Sequence, residues 1–164
     1  MKILSVADIH GAQYRLNLLL RNIERFSPDL AIICGDITQF GPGDVAKNFL
    51  EQIPVETIAV TGNIDSLDVS KAIDESKATR IELKKVVKKG IKFVGAKGME
   101  NKDFDFIRYK KLIDKETVLV THMPPKGLQD RISSGINGGS DELRKLIEDF
   151  KPRLVLSGHI HEDP

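Results

Sequence analysis

Leu30-Ala31-Ile32-Ile33-Cys34-Gly35-Asp36 is an apolar, β-branched run that stops abruptly on a glycine and a carboxylate. A short, unbroken apolar run bounded by a breaker reads as a strand buried on both faces, as in a parallel sheet. The flanking sequence agrees. Upstream, Leu16, Leu19, Leu20, Ile23 and Phe26 recur at helical spacing, and Ser27-Pro28 must end that helix because a residue before proline avoids the helical region. Residues 2–7 precede it as a first strand. Downstream, Gly41-Pro42-Gly43-Asp44 supplies a turn and a helix cap ahead of Val45, Ala46, Phe49 and Leu50, and Pro54 closes the unit before a strand over 56–60. Two successive strand–helix–strand crossovers define an α/β domain that begins with a largely parallel sheet.

The second half of the chain changes character. Lys85-Val86-Val87 and Ile91-Lys92-Phe93-Val94 flank Lys88-Lys89-Gly90, which predicts an antiparallel hairpin opening a second sheet. The lysines there resemble a basic patch but read more simply as solvated turn and edge charges. Residues 116–120 and 153–156 read as further strands, and Asp141–Phe150 as a helix capped by Ser140, with Asp141 and Glu142 in its first turn. Residues 126–139 carry four glycines and no periodicity, so a long loop is expected, either a lid or a plain surface connection.

At 164 residues the chain fits one domain, 1–164, because single cores commonly run to about 100–150 residues. An apolar fraction of 40% beside 30% charged residues excludes a disordered or membrane-embedded chain. Lys and Arg total 25 against 24 for Asp and Glu, so the global basic field that nonspecific nucleic-acid binding needs is missing, which disfavours a nuclease. The first residues reach Asp8 too soon to form a secretory apolar region, and no later run approaches membrane-spanning length; the expected location is the cytoplasm. The single cysteine, Cys34, sits inside the apolar run as a small buried hydrophobe, with no base beside it to make it a nucleophile.

One event recurs along the chain: an apolar strand ends and a small residue or carboxylate leads into metal-competent groups. It happens at Ala7-Asp8-Ile9-His10, Gly35-Asp36, Gly62-Asn63, Thr121-His122 and Gly158-His159-Ile160-His161. In open α/β sheets ligands bind outside the carboxyl ends of the strands, so these tips converge on one crevice. Asp8/His10 and His159/His161 have i, i+2 spacing, which in extended backbone projects both side chains to one face, each pair gripping one site. The chain has four histidines and every one falls at such a tip. Any single histidine reads as a structural imidazole; together they read as metal ligands.

These five ordered blocks, Asp8-Ile9-His10, Gly35-Asp36, Gly62-Asn63-Ile64-Asp65, Thr121-His122-Met123-Pro124-Pro125 and Gly158-His159-Ile160-His161, resemble the calcineurin-like metallophosphoesterases, particularly the small prokaryotic phosphodiesterase branch. The resemblance spans nearly the whole chain. It implies a four-layer αββα sandwich of two mixed β-sheets flanked by helices. It implies that Asp8, His10 and His161 hold one divalent metal ion, that Asn63, His122 and His159 hold another, and that Asp36 bridges them. Two such ions, roughly 3.5–4 Å apart, generate a hydroxide nucleophile and clamp a phosphoryl group. The catalytic roles fall to Asn63, Asp36 and His10, with the Asn63 amide also binding substrate. The donor mixture suits Mn, Fe, Zn, Co or Ni, with Mn favoured.

Two departures from that family shape the expected activity. Many relatives carry a histidine after Gly-Asn that protonates the leaving group, where this chain has Ile64, so phosphodiesters or activated esters are favoured over alkyl monoesters. Asp65 is either a substitute acid or a supporting or helix-capping carboxylate. The sequence also stops at Pro164, just after the last ligand block, where relatives continue through further strands; the second sheet is expected to be incomplete there and its free edge to favour a homo-oligomer. Alternative functions are a noncatalytic interaction scaffold of the same fold and a phosphomonoesterase or protein phosphatase. Arg131, Asn137 and Lys97 are candidates to reach a small phosphate-ester substrate, although ordinary surface roles suffice for all three.

Overall fold

The structure, a computed structural model, describes residues 1–96 and 106–163. Its first sheet holds β1 (Ile3–Val6), β2 (Leu30–Cys34), β3 (Thr57–Val60) and β4 (Thr79–Arg80), in that order and all parallel. The second holds β5 (Lys85–Lys88), β6 (Ile91–Ala96), β7 (Thr117–Thr121) and β8 (Leu154–Leu156). There β5 and β6 are antiparallel while β6, β7 and β8 run parallel, so only the second of the two sheets is mixed. Helices α1 (Gln13–Phe26), α2 (Gly43–Gln52) and α3 (Leu67–Asp74) connect the first sheet; α4 (Phe106–Lys110) and α5 (Asp141–Phe150) accompany the second.

The side-chain alternation of the buried strands separates the layers. On β2, Ala31 and Ile33 pack with Leu16, Leu19 and Ile23 of α1 and Phe49 and Leu50 of α2, while Leu30, Ile32 and Cys34 point to the other face. That other face meets Phe93 of β6 and Val118 and Val120 of β7, forming the core between the sheets. Val94, Ala96 and Leu119 turn outward against Tyr109, Leu143 and Leu146. The result is the expected αββα sandwich, and each fully buried Ile or Phe in it contributes about 1.5–3 kcal/mol. Gly95 lets the sheets close together, since a Cβ there would lie 2.7 Å from Val60 and 2.8 Å from Ile81.

Local choices follow the sequence closely. Ser27 ends α1 in a left-handed conformation, and Ser140 caps α5 by accepting the Leu143 N–H at 3.1 Å. Lys89 and Gly90 both have positive φ, the two-residue turn that suits the right-handed twist of a hairpin. Three hairpin lysines are matched to carboxylates, Lys88 to Glu56, Lys89 to Asp29, and Lys92 to Asp114 and Glu116, which makes them paired edge charges. Three details differ from expectation. Phe26 is exposed under the Arg25 guanidinium instead of joining the α1 core. The second helix starts at Gly43, so Asp44 lies within its first turn and no side chain caps it. Helix α3 and the short β4 were not announced by the pattern. Lys97 lies outside the described residues.

Candidate metal centre

The strand ends at the crevice exit through tight turns. Asp8, His10, Asp36 and His159 take positive φ values of 59°, 53°, 51° and 74°, a conformation that costs a non-glycine residue energy and persists where the surroundings impose it. The i, i+2 pairs therefore do not act through extended backbone as the spacing suggested. The turns also lean on one another: the His10 N–H donates to the Asp36 carbonyl at 2.9 Å, Asp8 to Gly35 at 3.1 Å, and Gly158 to the His122 carbonyl at 2.9 Å. Arg15 of α1 donates to the Asp8 carbonyl, a support that no sequence signal revealed.

Two clusters form. Asp8, His10 and His161 bring one ligand-capable atom each within 4.8 Å of one another, and so do Asp36, His122 and His159. In the first, His161 Nε2 lies 3.3 Å from Asp8 Oδ1 and 3.3 Å from His10 Nε2. In the second, His122 Nε2 lies 3.3 Å from Asp36 Oδ2, 3.2 Å from His159 Nδ1 and 2.9 Å from Asn63 Oδ1. His159 and His161 thus part company, one to each cluster, where the spacing alone assigned them to a single site. The second cluster is the deeper, His122 being fully buried, and the first opens outward through a half-exposed His161.

Several features show that these atoms suit divalent cations. Asp8 Oδ1 is buried with no hydrogen-bond partner, while its Oδ2 accepts the His159 N–H at 3.0 Å. A buried acceptor without a donor is costly unless something positive satisfies it. The Cys34 carbonyl takes His122 Nδ1 at 2.8 Å, which leaves Nε2 as the ring's donor atom, the arrangement that orients a ligating imidazole. Burial opposes ionisation of both His122 and Asp36, but their mutual hydrogen bond and charge outweigh it, holding the carboxylate below its usual range and raising the imidazole above its own. His159 is pushed down by burial and by neighbouring His122. The donors, imidazole nitrogen and carboxylate or amide oxygen, are those of first-row divalent ions.

Asp65 resolves into a clamp. Its Oδ2 accepts the N–H groups of Ile37 and Gly62 at 3.1 and 3.0 Å, and its Oδ1 accepts the N–H and hydroxyl of Thr38 at 3.0 and 3.1 Å. All four bonds end on its oxygens and tie the Asp36 turn to the Asn63 turn, while the N-cap position of α3 belongs to Ser66. Cys34 is inert: burial pushes its thiol up to about 12, the Ser5 hydroxyl at 3.3 Å opposing and the Asp8 charge adding. A thiol reagent should therefore leave the native protein unlabelled and react only on denaturation; rapid native labelling would contradict that burial.

Residues 126–139 form a loop organised around buried Asp130, which accepts the N–H groups of Gly127 and Gly139 at 2.9 and 3.0 Å. A Cβ on Gly138 would lie 3.3 Å from Ile160, so the loop backs the turn that carries His159 and His161. Arg131 and Asn137 are exposed and bridge one another across this loop.

An αββα sandwich with paired imidazole–carboxylate clusters at its strand ends defines an α/β protein with two candidate metal-ligand groups. The chain belongs to the calcineurin-like phosphoesterase family, whose model matches residues 1–163. An uncharacterized protein of Methanocaldococcus jannaschii is 34% identical over 99% of this chain and 81% of its own length. A probable glycerophosphodiester phosphodiesterase of Arcobacter nitrofigilis is 26% identical over 94% of this chain, which spans 64% of that relative. Among solved structures, the protein TT1561 of Thermus thermophilus superposes with a TM-score of 0.72 at 17% identity, covering 94% of this chain and 80% of that one. A novel archaeal phosphodiesterase gives 0.59 at 19% identity, covering 97% and 84%. The chain is a phosphoesterase of this family with candidate metal-ligand groups at its strand ends. Among the described residues no helix is long and apolar enough to cross a membrane.

Proposed function

We propose that this chain hydrolyses phosphodiesters or activated phosphate esters at a dinuclear metal centre. Asp8, His10 and His161 would hold one ion, Asn63, His122 and His159 the other, with Asp36 shared. The observation that carries this reading is the pair of three-residue donor clusters at the strand ends, tied to each other by the His10 N–H donating to the Asp36 carbonyl at 2.9 Å and the His159 N–H donating to Asp8 Oδ2 at 3.0 Å. When bound, two such ions supply a hydroxide nucleophile at neutral pH and polarise the phosphoryl oxygens. The chain's own groups do the rest. Asn63 directs its amide oxygen to His122 at 2.9 Å and is exposed, leaving its N–H groups to donate to a phosphoryl oxygen as charge builds there. Asp36 accepts the Ile64 N–H at 3.3 Å, which fixes the shared carboxylate. Ile64 provides no proton for a leaving group, which favours diester or activated substrates, in keeping with the phosphodiesterase names of two relatives. Mn is the favoured ion among Mn, Fe, Zn, Co and Ni.

The test is turnover of bis-(p-nitrophenyl) and mono-(p-nitrophenyl) phosphate by metal-stripped protein before and after addition of each ion. Metal-dependent hydrolysis with the diester faster is the expected result. A faster monoester would turn the assignment to a phosphomonoesterase, cleavage of single-stranded DNA to a nuclease, and inactivity with all five ions to a noncatalytic scaffold.

A further inference from the structure

Outside the two clusters a third buried carboxylate, Glu82, stands close to the centre without joining it. It occupies the corner where the chain leaves the first sheet for the second. β4 pairs with β3 through Ile58↔Thr79 and Ala59↔Arg80, and the same register carried onward sets Thr61 opposite Glu82. The ladder does not continue that way. The Glu82 backbone makes a parallel bridge with Gly95 of β6 instead, the Gly95 N–H donating to the Ile81 carbonyl and the Leu83 N–H to the Gly95 carbonyl, both at 3.0 Å. The Glu82 side chain turns back and takes the place of the missing ladder partner: its Oε1 accepts the Thr61 N–H at 2.7 Å and the Thr61 hydroxyl at 2.5 Å. Its Oε2 accepts from Arg80 at 2.7 Å, and Arg80 in turn grips Asp74 at the end of α3 at 3.0 and 2.6 Å.

Thr61 is fully buried, follows the last residue of β3, and stands two positions before Asn63. A main-chain carbonyl could have satisfied its N–H without bringing a charge into the interior, where a carboxylate is costly to desolvate unless both oxygens are matched. Both oxygens of Glu82 are matched, and the outcome is a rigid strand end. With Asp65 holding the next N–H, that of Gly62, the two residues leading to Asn63 are fixed from opposite sides. We propose that Glu82 is a positioning residue for Asn63, braced by Arg80 against α3, and that it sets the affinity of the His122–His159 cluster for its ion. This inference rests on the dinuclear reading above.

The experiment is a Mn²⁺ titration of metal-stripped protein by calorimetry, with thermal melts run alongside, on wild type, Glu82→Ala and Glu82→Gln. Wild type should show two binding classes; fewer than two would overturn the dinuclear reading itself. Given two, Glu82→Ala is expected to weaken one class by about 10–100-fold, the usual consequence of removing a group that orients a ligand, and to leave the other unchanged. The weakened class should be the one His159→Ala also weakens. Glu82→Gln keeps an oxygen for Thr61 and should restore wild-type affinity. Should the alanine variant be unfolded at the titration temperature, Thr61→Val, which deletes only the hydroxyl bond, should weaken the same class to a smaller degree. Folded Glu82→Ala with both classes intact, or with both weakened equally, would overturn the positioning role, as would Thr61→Val with unaltered binding.

Discussion

Gly62→Ala is expected to cost at least about 10²-fold in kcat/KM on bis-(p-nitrophenyl) phosphate, the scale on which a roughly 1 Å misplacement of reacting groups acts. A Cβ at residue 62 would lie 1.9 Å from Asp36 Oδ1, 2.5 Å from the Asp36 nitrogen and 2.6 Å from its Cγ. No rotamer of Asp36 relieves the contact with its backbone nitrogen, so either the Asp36 turn or the Asn63 turn must move. Both turns are pinned by the Asp65 carboxylate, and movement of one strains the other. Overpacking of this kind typically costs about 1–3 kcal/mol of stability, a loss that a domain of this size survives while its centre is disrupted. Gly90→Ala is the fitting comparison. Its φ of 79° brings strain of similar order, yet nothing lies within 4 Å of the added methyl and the turn is far from the clusters in sequence. Comparable drops in Tm with Mn²⁺ binding and turnover lost only in Gly62→Ala would establish that the glycine serves the centre. Wild-type metal binding by Gly62→Ala would show that the turn tolerates displacement.

What the sequence revealed and what it hid divide along physical lines. Leu30–Cys34, the Lys89-Gly90 turn and the Ser140 cap are local: burial on both faces, a two-residue loop with positive φ and a hydroxyl three residues before an N–H each leave a short-range signature. Convergence of Asp8, His10, Asp36, Asn63, His122, His159 and His161 was legible because parallel strands all present the same end. The split between His159 and His161 came only with the family resemblance and not from their spacing, since it goes with a left-handed residue at 159. Helix α3 is short, and its apolar stripe of Val69, Ala72 and Ile73 covers only about two turns, too little for a periodicity argument. The roles of Asp65, Glu82 and Arg15 are set by chain segments that meet only after both sheets have formed, so no pattern within a window could have assigned them.

Ile64→His is expected to raise the rate on esters with poor leaving groups by up to about 10²–10⁴-fold, the range a positioned general acid supplies, and to change the rate on p-nitrophenyl esters far less. The position can accept the change. The Ile64 N–H donates to Asp36 Oδ1 at 3.3 Å and its carbonyl accepts the Phe40 N–H at 3.2 Å, so the backbone is held through groups that the substitution leaves alone, while the side chain is only half-buried. An imidazole there follows Asn63 directly in the turn, beside the residue proposed to bind the phosphoryl oxygens. A proton donor matters in proportion to the basicity of the departing oxygen, which is why the gain should grow along a series of aryl and alkyl phosphodiesters of rising leaving-group pKa. The variant's plot of log kcat/KM against that pKa should be shallower than wild type's. Parallel plots would mean that residue 64 does not face the leaving group and that the preference for activated substrates has another origin.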